Sequence, residues 1–139
     1  MILVDLDDTL ADARWREPLW GNWEEFYKEA HLDLPILPVV RMVRAMAGSG
    51  LRIVIVTARE ERWRPLTVAW LVAQGIYAQE VRMRPEGDFS PSPELKVRMV
   101  EDLLEAGLVE LVIDDREDVL QAFRALGIPT LRSQYGGPP

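Results

Sequence analysis

Three carboxylates stand within four residues near the start of the chain, Asp5, Asp7 and Asp8 in the run MILVDLDDTLADA. Carboxylates this close repel one another and are costly to desolvate. Two more, Asp114 and Asp115, close the apolar run 108–113, while Thr57, Ala58 and Arg59 follow the apolar run 53–56 and Lys96 lies between the two. Gathered at one rim, Asp5, Asp7, Asp114 and Asp115 carry up to four negative charges, which Lys96 and a hard divalent cation would have to offset. The chain has no cysteine and one histidine, so nothing favours zinc; Mg²⁺ suits a site of one or two carboxylates completed by water and phosphate oxygens. A carboxylate beside such an ion can attack a phosphoryl group, and a second carboxyl can protonate the leaving oxygen and later activate water. Asp5 and Asp7 fit those two roles. Thr57 can hydrogen-bond a phosphoryl oxygen, and Lys96 can neutralise charge on the transferring group.

These residues need a frame that brings distant positions together. The apolar runs 1–4, 53–56 and 108–113 read as buried parallel strands, with 78–83 and 128–131 as two further strands. Between them lie helical periods: Val39, Val40, Val43, Met46 and Ala47 before Gly48; Leu66, Ala69, Trp70 and Ala73 before Gly75; and Val119, Leu120, Phe123 and Leu126 before Gly127. Ser92 followed by Pro93 predicts an N-cap with proline at the first helical position, opening a helix that runs to about residue 106. Strands alternating with helices argue for an α/β domain with a mostly parallel sheet, whose ligands bind at the carboxyl ends of the strands. Asp5, Thr57 and Asp114 all fall at such ends. If extended geometry persists past the first strand, Asp5 and Asp7 share a side and Asp8 turns away.

The 139 residues, 48% hydrophobic, fit one domain over 1–139 with a short flap and helical insert at 11–35 and a frayed tail at 133–139. Within the insert a helix is expected from Asn22 to Ala30. No apolar run is long enough to span a bilayer and no signal peptide is evident, which predicts a cytoplasmic protein. The net charge of −7 argues against backbone-wide nucleic-acid binding. Residues 57–98, however, carry seven basic side chains against six acidic ones, so basic groups concentrate in the middle of the chain.

DLDDT, the strand ending in Thr57, Lys96 and the IDD at 113–115 resemble, in order, the four motifs of the haloacid dehalogenase phosphohydrolase superfamily. The resemblance implies a three-layer α/β/α Rossmannoid domain with a central, mostly parallel five-stranded sheet. It also implies Asp5 as nucleophile, Asp7 as acid/base, Thr57 and Lys96 as phosphate-binding residues, and Mg²⁺ held by Asp5, Asp114 and the Asp7 backbone carbonyl. Asp115 supports the metal site, and Asp118 is a secondary candidate. Many members carry glycine where this chain has Asp8. About 47 residues separate Thr9 from Thr57, too few for a full-sized cap domain beside the crossover helix.

The strings TARE at 57–60, MRPEGDFSPSPELK at 83–96 and IDDREDVLQAFRALGI at 113–128 resemble more narrowly the 3′-phosphatase domain of bacteriophage-type polynucleotide kinases. That likeness implies that Arg59, beside Thr57 and Ala58, contacts substrate phosphate. It also implies a nucleic-acid 3′ end as substrate, a separate polynucleotide kinase or ligase as partner, and a bacterial or phage-encoded cytoplasmic setting. No GxxxxGK[ST] phosphate loop occurs. A phosphatase of small metabolites or free nucleotides is the runner-up, and a non-enzymatic phospho-acceptor the alternative of a different class. Arg82 and Arg84 read as solvated strand-edge charges and His31 as surface. Trp15, Trp20, Trp23 and Trp63 are expected to pack the sheet's edge rather than stack bases.

Overall fold

The computed structural model describes residues 1–134. Its centre is a five-stranded sheet of β1 (Ile2–Val4), β4 (Ile53–Glu60), β5 (Glu80–Arg84), β6 (Leu111–Asp114) and β7 (Thr130–Arg132). They run in the order β5-β4-β1-β6-β7, every neighbouring pair parallel. β1 is central and apolar on both faces, as a strand covered on both sides must be. Ile2 and Val4 face one core, with Val40 and Val43 of α2 (Leu37–Gly48) and Trp70 and Leu71 of α3 (Arg64–Ala73). Leu3 faces the other, with Leu103 of α5 (Glu101–Glu105) and Val119, Leu120 and Phe123 of α6 (Glu117–Arg124). The result is three layers, helix on sheet on helix.

The remaining elements decorate the carboxyl rim. β2 (Ala11–Asp12) and β3 (Leu34–Pro35) pair antiparallel, and between them lie a 3-10 stretch, Arg14–Leu19, and α1 (Trp23–Lys28). Asn22 caps α1 by accepting from Glu25 N–H, close to the expected start. This insert is the flap, and among the described residues no larger cap covers the sheet. Among the described residues no helix is long and apolar enough to cross a membrane.

Several expectations need correction. Ser92 does not cap α4 (Ser92–Met99); it is already helical, and the cap position is Pro91. The helix also breaks early, because Val100 leaves helical geometry (φ −121°) with its side chain fully buried, and α5 restarts behind it. Trp15, Trp20 and Trp23 do not pack the sheet; they are 44%, 64% and 50% exposed, and it is Trp70 that enters the core. Arg82 and Arg84 lie on the edge strand but are not solvated: Arg82 pairs with Glu80 and Asp102, and Arg84 donates to the carbonyls of Ala58, Asp88 and Ser90. Of the tail, Ser133 still donates to Asp114 O, and 135–139 lie outside the described residues.

Candidate active site

Asp5 follows β1 directly, and its backbone N–H still donates to Ile113 O of β6 (2.9 Å), so the strand pairing reaches it. The chain then turns. Leu6 O accepts the N–H groups of Thr9, Leu10 and Ala11, and Asp8 takes a left-handed conformation with φ +62°. Asp tolerates that region better than most non-glycine residues, and its Oδ1 accepts Ala13 N–H at 2.9 Å, tying the turn to the flap. This is why Asp can replace the glycine expected there. The turn also ends the extended geometry, so the carboxylates of Asp5 and Asp7 part company.

Asp5 joins an acid cluster. One oxygen each from Asp5, Asp114 and Asp115 lie within 4.8 Å of one another, an arrangement that could hold a metal ion. Lys96, one turn into α4 and 3% exposed, reaches both Asp5 Oδ1 and Asp114 Oδ2 at 2.6 Å. Thr9 donates to Asp5 Oδ2 at 2.9 Å, and Asp114 Oδ1 accepts Arg116 N–H at 2.9 Å. Burial, with the charge of Asp114, pushes Asp5 up to about 6 despite Lys96. Burial and the charges of Asp5 and Asp114 push Asp115 up to about 9. Lys96 shifts the other way: burial opposes its charge, but two carboxylates overcome that and raise it above the ordinary lysine range. The cluster therefore carries more negative charge than one lysine balances. Every donor is a carboxylate oxygen, which suits a hard divalent cation.

Asp7 lies in a clamp of arginines. Arg59 makes a bidentate contact, Nε at 3.0 Å to Oδ2 and Nη2 at 2.7 Å to Oδ1, and Arg16 Nη2 adds 2.9 Å to Oδ1. Burial pushes Asp7 up, yet the two guanidiniums together carry it below the ordinary carboxylate value. Both arginines are buried and held in turn. Arg16 donates to both oxygens of Asp33 (2.8 and 2.7 Å) and to Phe26 O, and Arg59 donates to Thr67 Oγ1 at 3.1 Å. Asp33 also accepts Trp15 Nε1–H, and its backbone carbonyl accepts Trp70 Nε1–H. The flap is thereby fastened to α3 through the residues that hold Asp7.

A bulge in β4 aims Arg59. Pairing with β5 passes from Thr57↔Met83 to Glu60↔Arg84, so Ala58 and Arg59 have no opposite residues; such bulges re-aim side chains beside active sites. Arg84 Nε donates to Ala58 O at 2.9 Å and locks it. Thr57 Oγ1 accepts Arg59 N–H at 3.2 Å, leaving its own O–H to donate.

The structure thus brings Asp5, Lys96, Asp114 and Asp115 into one cluster and places Asp7 and Arg59 in a second. The Asp7 carboxylate is outside the acid cluster. Asp118 is outside too, an exposed first-turn acid of α6 paired with Arg116. Sequence reasoning did not find Arg16, Asp33 or Thr9. Thr9 stood within the DLDDT motif, whereas Arg16 and Asp33 lie in the irregular insert, where nothing in spacing marked them.

Residues 1–137 match the family model of the polynucleotide kinase PNKP phosphatase domain. No curated protein matches the chain. Among solved structures, a chain of the Pnkp1/Rnl/Hen1 complex is 25% identical with a TM-score of 0.79, covering 98% of this chain and 46% of that one. A chain of the Pnkp1/Rnl/Hen1 RNA repair complex is also 25% identical, TM-score 0.79, covering 97% and 42%. The chain thus spans less than half the length of these two. A haloacid dehalogenase-like hydrolase, SP0104 from Streptococcus pneumoniae, is 12% identical with a TM-score of 0.63, covering 94% and 82%, and shares the fold.

Proposed function

From the premise that the chain belongs to the polynucleotide kinase PNKP phosphatase domain family, we propose that it is a Mg²⁺-dependent phosphomonoesterase that removes 3′-phosphates from nucleic-acid ends. The observation that carries this reading is Asp5 at the end of the central strand, held by Lys96 and Thr9 inside an all-carboxylate cluster. Asp5, Asp114 and Asp115, with the Asp7 backbone carbonyl, would hold the Mg²⁺, which when bound offsets the charge of the cluster and of the phosphoryl oxygens.

Asp5 attacks phosphorus while the bond to the 3′ oxygen breaks, and Asp7 hands that oxygen a proton. Water then attacks the aspartyl phosphate, Asp7 takes up its proton, and inorganic phosphate leaves with Asp5 restored. Lys96 Nζ, already 2.6 Å from Asp5, balances charge as it moves onto the phosphoryl group, and the Thr57 hydroxyl donates to a phosphoryl oxygen. Arg59 and Arg16 hold Asp7 ionised in the free protein. An arriving phosphate dianion competes for Arg59's N–H donors, which raises Asp7 towards the protonated state its first task requires.

The absence of a large cap suits a bulky substrate such as a polynucleotide end, because small-substrate enzymes gain from closing over their ligand. Similarity to a chain of an RNA repair complex supports the same substrate class and, with it, action beside a separate kinase or ligase. The test is phosphate release across 3′- and 5′-phosphorylated DNA and RNA oligonucleotides, mononucleotides and sugar phosphates in Mg²⁺. The highest kcat/KM is expected on 3′-phosphorylated oligonucleotides. Sugar phosphates or free nucleotides ranking first would replace this reading with that of a metabolite phosphatase.

A further inference from the structure

A groove of about 350 Å³ is lined by Ala58 of the β4 bulge, Arg84, Ser92 and Arg116; Arg116 N–H donates to Asp114 of the acid cluster, and Ser92 opens the helix that carries Lys96. Trp23, Tyr27 and Phe89 line its walls. The volume is that of a small-ligand site. Phe89 is 90% exposed, the most exposed large apolar side chain among the described residues. It sits on a tightly held loop: Arg84 Nη1 donates to Asp88 O and Ser90 O, at 2.8 Å each. Asp88 Oδ1 accepts from Ser90 N–H and Oγ–H, and Asp88 Oδ2 pairs with Arg98 at 2.5 Å. A flexible loop would let such a ring fold back onto the protein; this one presents it to solvent.

Trp23 is backed in the same way. Its ring stacks on Tyr27 at 6.4 Å and 30°, and meets Phe26 edge-on at 5.4 Å. Tyr27 carries this stack inward, its phenol near enough to Asp7 that burial and that carboxylate push it up to about 12. Trp23 and Tyr27, stacked on one another, thus both line the groove. The groove is poor in free cationic donors: Arg84 is spent on three carbonyls, Arg116 pairs with Asp118, and Glu60 adds an opposing charge. What it offers a ligand is ring faces.

Resting on the 3′-phosphatase reading, we propose that the terminal nucleobase of the substrate stacks between Phe89 and Trp23 while its 3′-phosphate reaches Asp5. Ring faces accept any base, so the subsite selects for the presence of a base and not for its identity. Because the Trp23 ring and the loop that carries Phe89 are held before substrate arrives, the ordering cost of binding is reduced.

The test compares KM and kcat in Mg²⁺ on a 3′-phosphorylated oligonucleotide and on the same oligonucleotide with an abasic terminal residue. The unsubstituted protein is expected to prefer the intact end by about tenfold or more in KM, the scale on which base–aromatic stacking works. Phe89→Ala is expected to collapse that KM ratio towards one with little change in kcat on the intact end, whereas Phe89→Trp retains it. Phe89 is too exposed for either change to threaten folding. A ratio unaltered by Phe89→Ala, or no preference for the intact end at the outset, overturns the stacking subsite and leaves the 3′-phosphatase reading standing. Hydrolysis of other phosphomonoesters with none from either oligonucleotide overturns that reading, and the subsite with it.

Discussion

Asp5 and Asp7 are two residues apart and have opposite surroundings. Asp5 meets two other carboxylates and a single lysine, and burial with the charge of Asp114 pushes it up to about 6. Asp7 meets two arginines and no acid at contact distance, and is held below the ordinary value. Each environment leaves something undone. The acid cluster has more negative charge than Lys96 balances and could hold a cation; the arginine clamp, in the proposed function, meets the substrate phosphate. In the proposed reaction, two carboxylates tuned apart in this way divide the work, Asp5 as nucleophile and Asp7 as proton carrier. What separates them is the turn at Asp8, which ends the strand between one environment and the other.

Neutralising each acid in turn separates the two environments most strongly. Asp5→Asn is expected to lower phosphate release by at least about a thousandfold and to leave no phosphoenzyme with any substrate. Asp7→Asn is expected to cost about 10²- to 10⁴-fold on an alkyl phosphate, the scale of lost acid/base catalysis. With para-nitrophenyl phosphate, whose leaving group needs no proton, the Asp7→Asn protein is expected to accumulate phosphoenzyme in rapid-quench experiments. Equal loss on both substrates, with no phosphoenzyme, removes Asp7 from the proton-transfer role.

A second contrast separates the two cations. Lys96 and Arg16 are both buried between carboxylates, so Lys96→Met and Arg16→Met each leave uncompensated charge and are expected to cost about 3–5 kcal/mol in denaturant unfolding. Mg²⁺ is expected to restore part of the loss in Lys96→Met, because the ion supplies charge where the lysine did. It restores none in Arg16→Met, where Asp33 lies outside the acid cluster. Equal response to Mg²⁺ in both variants means the two regions are not electrically distinct.

Much of this was legible before the structure. Buried parallel strands read as apolar runs, and 1–4, 53–56 and 108–113 became β1, β4 and β6, the strands that carry Asp5, Thr57 and Asp114. The acid cluster followed from their ends. The arginine clamp did not, because Arg16 and Asp33 sit in a segment without period and meet only when the flap folds across the rim. Nor did the β4 bulge, which depends on Arg84 reaching Ala58 from the neighbouring strand. The exposure of Phe89 was equally hidden, since it results from hydrogen bonds within a polar loop. Local pattern finds elements and their ends; side chains that hold one loop against another leave no periodic trace.

The pH dependence of stability extends the contrast, with opposite signs. Asp115 and Asp5 have raised folded values, so the stability they contribute is present below about 3.8 and lost as pH rises, for Asp115 through about 9. Asp7 has a lowered value, so its contribution is present above 3.8 and lost as pH falls through its folded value. Without divalent cation the melting temperature is expected to be lower at pH 8.5 than at pH 5.5, by about 3 °C or more if about 1 kcal/mol is at stake in a domain of this size. Mg²⁺ or Asp115→Asn is expected to flatten that slope. A slope unchanged by both excludes the acid cluster as its source.

The smallest expected effect lies at the turn that divides the two regions. Asp8 sits at φ +62° and accepts Ala13 N–H, so its side chain offsets part of the cost of its backbone. Asp8→Ala keeps the strained backbone and loses the hydrogen bond, for an expected loss of about 1–2 kcal/mol. Asp8→Gly loses the same bond but relieves the backbone, so the two changes nearly cancel and stability is expected to stay within about 0.5 kcal/mol of the parent. Calorimetric or denaturant unfolding of the two variants decides the matter. If glycine is as damaging as alanine, the Asp8 carboxylate is doing more than closing a turn, and the boundary between the cluster and the clamp depends on its charge.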